Sequence, residues 1–462
     1  MQALVRATCV TALLLGAALP GCKAGSRPQP AAAVEAAPSS QPAHLIEDDY
    51  ARALAEARAR KLPLFVEVWA SWCHTCASMR EYVLPDPALA PLAGAFVWAG
   101  IDSERASNQG FLQRFPTRNL PTLWVIDSAT EQPLLKWIGA ATAPELALIL
   151  ERARQPSAAD AADPGATAEW VLGNRASAAG DTAGAIAHYQ TALRSAPAGW
   201  PLRARAAETL SMRYVETGAQ REAFALATEL AAGLPASTAR LNVVLNGIDA
   251  GVELADAGAP AEGLAALIAL GARIAEDQAE PVLLDDRSSL YLSVVQALAK
   301  SSPEESRRLA RKWSALLDGE AARAQLPAAR RVWDPHRFEA YMALGETERA
   351  LPMLEQSERE APTDYNPPAR LARANLTLGR LEPAQAAIER ALARCEGPRK
   401  LRLYMLQADI LLARQERTRA ADGLRAALRY ANDQQLGAQY DKLRQRIEGR
   451  LTELAQDLRV SK

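Results

Sequence analysis

Residues 64–76 read LFVEVWASWCHTC, and this stretch decides the fold of the first part of the chain. Its first half, Leu64 to Trp69, is a nearly continuous apolar run, which predicts a short strand buried on both faces. Two cysteines, Cys73 and Cys76, follow the strand with two residues between them. Such a pair is either a redox-active dithiol or half of a metal site, and the rest of the sequence has to decide between the two.

A second motif lies further along the chain. Residues 119–122 read NLPT and precede a strand-like run over residues 123–126. This order of a strand, a W-C-x-x-C segment opening a helix, and a proline loop leading into another strand resembles the thioredoxin family over about residues 47–153. The resemblance implies an α/β sandwich in which Pro121 is cis and lies against the dithiol. It also implies that Leu120, just before the proline, tunes the choice of substrate.

The start of a helix is a suitable place for a reactive cysteine. Only a thiolate attacks a disulfide, and the unpaired backbone N–H groups of a helix N-terminus stabilise a thiolate. We therefore expect Cys73 to be the nucleophile and Cys76, one turn later on the same face, to be the resolving thiol. The disulfide between these two residues would be the redox group, and we expect no other cofactor.

Three neighbouring side chains complete the predicted site. Thioredoxins bury an acid at the place of Glu67 that helps to deprotonate the resolving thiol, whereas a Glu67 on an edge strand would reach water. A cationic His74 would stabilise the Cys73 thiolate, and the alternative is a His74 that only faces solvent. Trp72 is expected at the surface beside the site. The residues expected to contact substrate are Trp72, His74, Leu120 and Pro121.

Within that family, the segment is most similar to the C-terminal thioredoxin domain of DsbD-type disulfide reductases. The shared features are W-x-x-W-C-x-x-C, beginning at Trp69, and the segment YVLPDP over residues 82–87. The resemblance implies protein substrates that carry thiols or disulfides. The membrane-spanning part of those reductases has no counterpart in this sequence, so we expect a separate protein to donate electrons.

A metal site is the other use of a C-x-x-C pair. A tetrahedral zinc site needs about four ligands, and the sequence has no second C-x-x-C to supply them. The four histidines are scattered at His44, His74, His188 and His336. We therefore expect no metal. The remaining cysteine of the later chain, Cys395, is expected to pack between helices, with a resolving or dimerising thiol as the alternative.

The N-terminus has the pattern of an export signal. Residues 7–19 are nearly all apolar but too few to span a bilayer, and LPGC at residues 19–22 resembles a bacterial lipobox. The resemblance implies cleavage before Cys22 and a lipid on that cysteine; the alternative is an ordinary secretory signal. Lys23, where an Asp would imply retention in the inner membrane, favours an outer-membrane anchor facing the periplasm. Either signal exports the chain to an oxidising compartment.

Charge and size bound the remaining possibilities. The chain has 53 basic and 54 acidic residues and a net charge of −1, so no basic excess attracts nucleic acid. A chain of 462 residues is long enough for two or more domains. Its alanine-rich composition, with 5% aromatic residues, predicts that helices dominate.

Composition shifts divide the chain into five segments. We expect a signal over residues 1–21, a flexible tether over 22–46, a thioredoxin-like domain over 47–154, a linker over 155–167, and helical repeats with a capping helix over 168–462. Inside the thioredoxin-like domain, the patterns predict strands over 64–69, 96–102, 122–126 and 134–138, and helices over 48–61, 76–83, 110–115 and 144–154.

The second half of the chain resembles tetratricopeptide repeats. Amphipathic helices recur with small residues at the spacing of that repeat, and Gly345 and Gly379 are 34 residues apart, which is its usual period. The predicted fold is thus an α/β thioredoxin-like domain followed by an all-α tetratricopeptide-like solenoid, with a protein partner on the repeats. Residues 239–330 fit the repeat poorly, and a generic bundle of helical hairpins is the alternative.

Two functions are compatible with these motifs. The first is an exported, membrane-anchored thiol–disulfide oxidoreductase, working in the reductase or isomerase direction, whose repeats recruit a client or partner. The second is a non-catalytic envelope scaffold in which the thioredoxin fold is a docking module. The joint presence of Cys73, Cys76, Glu67 and Pro121 favours the enzyme.

Overall fold

The computed structural model describes residues 44–154, 165–437 and 440–460, with side chains up to residue 455. The predicted signal, Cys22, nearly all of the predicted tether and most of the predicted linker lie outside these residues. Within the described ranges, no helix combines the length and the apolar character needed to cross a membrane.

A five-stranded mixed sheet forms the first part of the structure. Its strands are β1 (Leu45–Glu47), β2 (Leu64–Trp69), β3 (Val97–Asp102), β4 (Thr122–Ile126) and β5 (Pro133–Ile138). The order across the sheet is β1-β3-β2-β4-β5; β1 and β2 are parallel to β3, while β4 is antiparallel to both β2 and β5. Strand β2 is therefore central. Residues 45 and 46, which we assigned to the tether, belong to β1.

Helices cover both faces of this sheet. They are α1 (Tyr50–Arg60), α2 (His74–Ser78), α3 (Gln109–Arg114) and α4 (Ala143–Arg154). Helix α2 runs on into a π-helical turn over Met79–Val83, and 3₁₀ turns occupy Pro87–Leu92 and Ala106–Asn108. Alternate residues of β2 point to opposite cores, because Phe65 packs with the α4 side and Val66 with the α1 side.

Sixteen helices are described in the second part of the chain. They are α5 (Ala166–Ala178), α6 (Thr182–Ser195), α7 (Arg203–Thr217), α8 (Gln220–Leu230), α9 (Thr238–Asp256), α10 (Leu264–Glu276), α11 (Leu284–Ser301), α12 (Pro303–Arg323), α13 (Pro327–Arg331), α14 (Asp334–Leu344), α15 (Ala350–Glu360), α16 (Asn366–Thr377), α17 (Leu381–Arg394), α18 (Lys400–Ala413), α19 (Arg417–Asp433) and α20 (Asp441–Val460). Short 3₁₀ turns lie at Ala231–Gly233 and Thr347–Arg349.

Small residues allow these helices to pack closely as hairpins. A Cβ atom on Gly173 of α5 would lie 2.5 Å from a ring carbon of Tyr189 on α6, so the glycine is what lets this pair cross. Gly345 and Gly379 have φ values of +74° and +70° and end α14 and α16 in the left-handed conformation. The poorly matching region, residues 239–330, is also built of packed helices, α9 to α12.

Candidate active site

The cysteine pair lies where β2 ends and α2 begins. Cys73 is the N-cap residue of α2, and its Sγ accepts a hydrogen bond from the backbone N–H of Cys76 at 3.1 Å. The two residues form a disulfide with an S–S distance of 2.07 Å. Cys76 is fully buried, while Cys73 retains 6% exposure. The side chain that we expect to act as nucleophile is thus the more accessible of the two.

The proline loop lies against this pair. The Leu120–Pro121 peptide bond is cis, as the resemblance implies. Leu120 is partly buried in a small cluster with Ala70, Cys73 and Cys76. The loop is fixed on its far side, since the Pro121 carbonyl accepts from the Gly139 N–H at 2.9 Å. The C-x-x-C segment and the proline loop, which are separated along the chain, therefore meet at the cysteine pair, as the motifs predict.

Glu67 lies in the middle of the central strand and is fully buried. Its partner is Arg80, from the π-helical turn after α2, whose Nε donates to Oε2 at 2.8 Å. Arg80 also donates to Glu47 of β1 at 2.9 Å, and its guanidinium lies 3.9 Å above the Trp69 ring. Gly100 of β3 leaves the room for this arrangement, because a Cβ there would come within 2.2 Å of Arg80 Nη2.

The environment of Glu67 makes it a group that titrates near neutral pH. Burial raises the pKa of its carboxyl to about 7, and Arg80 opposes the rise without cancelling it. The second carboxyl oxygen, Oε1, is buried without a protein hydrogen-bond partner. A carboxyl that can exchange a proton at neutral pH, placed in the strand that leads to the dithiol, has the properties of a proton shuttle.

His74 faces the helical part of the chain. Its Nδ1 lies 2.5 Å from Oδ1 of Asp285, near the start of α11, and its ring centroid is 3.8 Å from that of His336 on α14. His336 is buried, and burial together with the charge of His74 holds its pKa well below the usual range. His74 and His336 are scattered in the sequence, but the fold brings their rings into contact. The His74 side chain keeps 21% exposure, so contact with solvent is only partial.

The residues just before Cys73 are also held by the repeats. The guanidinium of Arg399, at the start of α18, lies 4.4 Å above the ring of Trp72. Ser71 Oγ accepts from Nδ2 of Asn366, the first residue of α16, at 3.1 Å. Trp72 is therefore half-buried against the helical region rather than freely exposed beside the site. Ser71, Trp72 and His74, which flank Cys73, thus all have partners in the helical region.

The described residues show how side chains that could bind a metal are placed and where the last cysteine, Cys395, lies. No group of three or more His, Cys, Asp or Glu side chains in those ranges is placed to hold a metal ion. Cys395 is buried in the core of the repeats, as expected of a packing residue, and burial raises the pKa of its thiol to about 12.

Sequence reasoning missed Arg80, Asp285 and Arg399. Arg80 had a local signal, since it lies four residues after Cys76 and thus on the same side of a helix, in an otherwise apolar environment. Asp285 and Arg399 had none, because tertiary packing brings them to the site from more than 200 residues further along the chain.

Comparisons with known proteins agree with this division of the chain. The thioredoxin-like family model matches residues 45–128, and a tetratricopeptide repeat model matches residues 341–399. The chain is 32% identical over 82 residues to the thiol:disulfide interchange protein DsbD of Pseudoalteromonas atlantica, covering 17% of this chain and 14% of that protein. It is 29% identical over 112 residues to DsbD of Salmonella typhi, covering 22% and 19%. The chain thus spans less than a fifth of the length of these curated relatives.

Among solved structures, the helical part is similar to a tetratricopeptide repeat protein from Parabacteroides merdae. The TM-score is 0.43 at 15% identity, over 61% of this chain and 98% of that one. Another similar structure is the thermophilic TPR protein TTC0263 of Thermus thermophilus, with a TM-score of 0.27 at 18% identity, over 54% and 100% of the two chains. Residues 45–128 are a thioredoxin-like domain with sequence similarity to DsbD, and it is followed by a helical region of tetratricopeptide repeats.

Proposed function

We propose that this protein is an exported thiol–disulfide oxidoreductase that acts on protein disulfides. The observation that carries the proposal is the joint placement of Cys73 at the start of α2, Cys76 one turn behind it, and the cis-proline loop, whose Leu120 packs against both cysteines. The similarity of residues 45–128 to thiol:disulfide interchange proteins supports the same chemistry. Both thioredoxin-like and tetratricopeptide folds generally bind proteins, which suits a protein substrate.

The first chemical step is attack on the substrate. In the reduced enzyme, the thiolate of Cys73 attacks one sulfur of the substrate disulfide, and that disulfide bond breaks as the new S–S bond forms. The leaving sulfur departs as a thiolate and takes up a proton. Backbone N–H groups at the start of α2, including that of Cys76, stabilise the attacking thiolate.

The second step releases the substrate. Cys76 loses its proton, attacks Cys73 Sγ and closes the intramolecular disulfide, while the second substrate sulfur leaves as a thiol. Two electrons and two protons have then passed from the enzyme to the substrate. Glu67 is the proposed acceptor of the Cys76 proton, since its pKa of about 7 leaves it able to take up a proton near neutrality.

The direction of electron flow that we propose is reductive or isomerising. A separate donor protein would return two electrons to the Cys73–Cys76 disulfide after each reduction, and no bound cofactor is needed. The repeats would hold the client or a partner protein close to the dithiol, which raises its effective concentration there, to about the mM range for short linkers.

Mixed-disulfide trapping tests the proposal. A Cys76→Ser variant keeps the nucleophile but cannot release the substrate, so it should accumulate covalent adducts with client proteins that a reducing agent dissolves. The matched Cys73→Ser variant has the same number of thiols as Cys76→Ser but lacks the proposed nucleophile, so it should trap no client proteins.

Either of two results would contradict the enzyme. One is an equal set of partners for both variants, which is the behaviour of the non-catalytic envelope scaffold. The other is the absence of a Cys73–Cys76 disulfide in the full-length protein across a series of dithiol redox buffers.

We propose further that Cys22 carries a lipid that anchors the protein to the cell envelope, in the outer membrane facing the periplasm. The support is the LPGC sequence over residues 19–22 followed by Lys23. A Cys22→Ser variant should move from the membrane fraction to the soluble fraction or remain an uncleaved precursor. Unchanged membrane association and an unchanged mass would rule out the lipid anchor.

A further inference from the structure

We propose that Asp285 of α11 is a positioning residue for the dithiol, which holds His74 as a cation beside Cys73 and thereby favours the reduced form of the Cys73–Cys76 pair. The proposal rests on the thiol–disulfide function proposed above and adds a residue from the helical repeats to that site. It means that the redox properties of the thioredoxin-like domain depend on the repeats.

The surroundings of Asp285 require a positive partner. Its side chain is 2% exposed, and its Oδ1 lies 2.5 Å from His74 Nδ1. The other oxygen, Oδ2, is buried without a protein hydrogen-bond partner. A buried carboxylate without a cation is strongly unfavourable, whereas one paired with a charged imidazole is not. The side chain that the structure places against it is His74, whose imidazole becomes a cation when both of its nitrogens carry a proton.

The second neighbour of His74 cannot take this role. His336 is buried with its ring centroid 3.8 Å from that of His74, and burial lowers its pKa well below the usual range, which favours the neutral ring. Its Nδ1 lies 2.6 Å from the hydroxyl of Ser288, which also accepts a hydrogen bond from Trp313 Nε1 at 2.7 Å. Because that hydroxyl already accepts one hydrogen bond, it can donate its own hydrogen to the imidazole. The two imidazoles in contact are therefore one neutral ring and one ring that is paired with Asp285.

The charge of His74 acts on the dithiol through the thiolate. Reduction by a dithiol donor breaks the Cys73–Cys76 bond while the two donor thiols form a disulfide, so two electrons pass to the cysteine pair. Cys76 takes up one of the two donor protons and becomes a thiol, the other proton goes to solvent, and Cys73 is left as a thiolate. A cation next to Cys73 stabilises that product and leaves the disulfide form, which carries no charge, nearly unaffected. Loss of Asp285 would remove the partner that keeps the cation in place, and the equilibrium would shift toward the disulfide.

The test is the redox equilibrium of the full-length protein in glutathione buffers, read by alkylation of free thiols. Asp285→Asn should shift the equilibrium constant toward the disulfide by about tenfold, the scale expected for loss of a neighbouring charge within ~4–6 Å. His74→Gln should give a similar shift. The double variant should add nothing further, because Asp285 is proposed to act only through His74.

Asp286 is the matched control. It is the next residue of α11 and is also buried, and burial together with the nearby charge of Asp285 raises its pKa well above the usual range, which favours its neutral form. Asp286→Asn leaves the Asp285–His74 pair in place and should leave the redox equilibrium unchanged. Thermal unfolding of each variant separates a folding defect from a redox effect.

Three results would overturn the proposal. The first is an unchanged redox equilibrium in Asp285→Asn. The second is a shift caused by Asp285→Asn that is equally large in the wild-type and in the His74→Gln background. The third is a neutral His74 ring in the wild-type protein at neutral pH, measured by nitrogen NMR. The last measurement needs no variant. All three differ from failure of the proposed function, in which client proteins are not trapped although the dithiol still equilibrates with glutathione.

Discussion

The hydroxyl of Tyr365 donates a hydrogen bond to Oε2 of Glu104 at 2.9 Å, across 261 residues of chain. Glu104 lies in the loop after β3, and its other oxygen accepts from the backbone N–H of Arg399 at 3.3 Å. Burial raises the pKa of this carboxyl from 4.5 to about 7, even though both hydrogen bonds act to lower it. One of the contacts that join the thioredoxin-like domain to the repeats is therefore titratable near neutral pH.

We predict that the folded protein becomes less stable as the pH rises, because ionisation leaves the charged Glu104 carboxylate buried. Because the pKa of Glu104 is higher in the folded protein, its stabilising contribution is complete below about pH 4.5 and is lost as the pH rises through about 7. Glu104→Gln mimics the protonated form and should unfold at a higher temperature than the wild type at pH 8. The gain has an upper limit of about 3 kcal/mol, at 1.36 kcal/mol for each pKa unit, and should nearly vanish at pH 4.

Tyr365→Phe is the matched variant for this prediction. It removes a donor that holds the pKa of Glu104 down, so the range of pH over which stability is lost should move upward. Other buried acids also titrate, but they are present in the wild type and in both variants. Their contributions therefore cancel when the stabilities of these proteins are subtracted. A stability difference between Glu104→Gln and wild type that is the same at pH 4 and pH 8 would contradict the prediction.

The parts of the site that the sequence predicts are those set by neighbouring residues in the chain. The predicted strands over 64–69 and 122–126 coincide with β2 and β4, since an apolar run bounded by loop residues is a local signal. The start of α2 at the dithiol and the proline loop are local in the same sense. Strand β1 was missed because three residues carry too little pattern to be distinguished from a tether.

The parts that could not be predicted depend on packing between distant segments. His74 and Asp285 are 211 residues apart, and nothing in the repeat pattern marks which side chains of a helix face another domain. The period of a repeat identifies the small residues that pack helix against helix. It is silent about the polar residues between them, and those are the residues that surround the dithiol.

Glu67 and Arg80 provide a second prediction, on the rate of substrate release. If Glu67 accepts the proton of Cys76, then Glu67→Gln should slow the breakdown of a mixed disulfide on Cys73 by about 10²-fold, the lower end for loss of a general base. The rate in the wild type should rise with pH through an inflection near 7, the pKa of Glu67, and the variant should lack that inflection. Stopped-flow measurement with a mixed disulfide on a model peptide gives both quantities.

Arg80→Met serves as the comparison for that profile. Arg80 holds the pKa of Glu67 down, so its removal should move the inflection to higher pH and keep its shape. The same variant leaves Glu67 buried without its cation and should lower the free energy of unfolding by roughly 3–5 kcal/mol at high pH. An inflection that stays in place in both variants would assign the proton acceptor to another group.

Trp72 and Arg399 lead to a third prediction, on how accessible Cys73 is to reagents. The guanidinium lies 4.4 Å above the indole ring, and with Asn366 on Ser71 it covers the residues that precede Cys73. We therefore compare the rate at which each reagent alkylates reduced Cys73 with the rate at which it alkylates free cysteine. This relative rate should be higher for a small reagent than for a bulky one. Arg399→Ala removes a contact worth about 0.5–2 kcal/mol. It should lower the ratio between the relative alkylation rates of the small and the bulky reagent severalfold.

Lys400→Ala distinguishes steric shielding of Cys73 from the electrostatic effect of a nearby positive charge in that experiment. Lys400 is the next residue and has the same charge, but its Nζ lies 5.3 Å from the ring of Tyr430 instead of over Trp72. Each variant removes one positive charge from adjacent positions of the chain, whereas only Arg399 contacts the tryptophan. If the Cys73 nucleophile is reached past this stack, the size dependence should change in Arg399→Ala alone. Equal changes in the two variants would show that long-range charge, and not the Trp72–Arg399 stack, controls how fast Cys73 reacts.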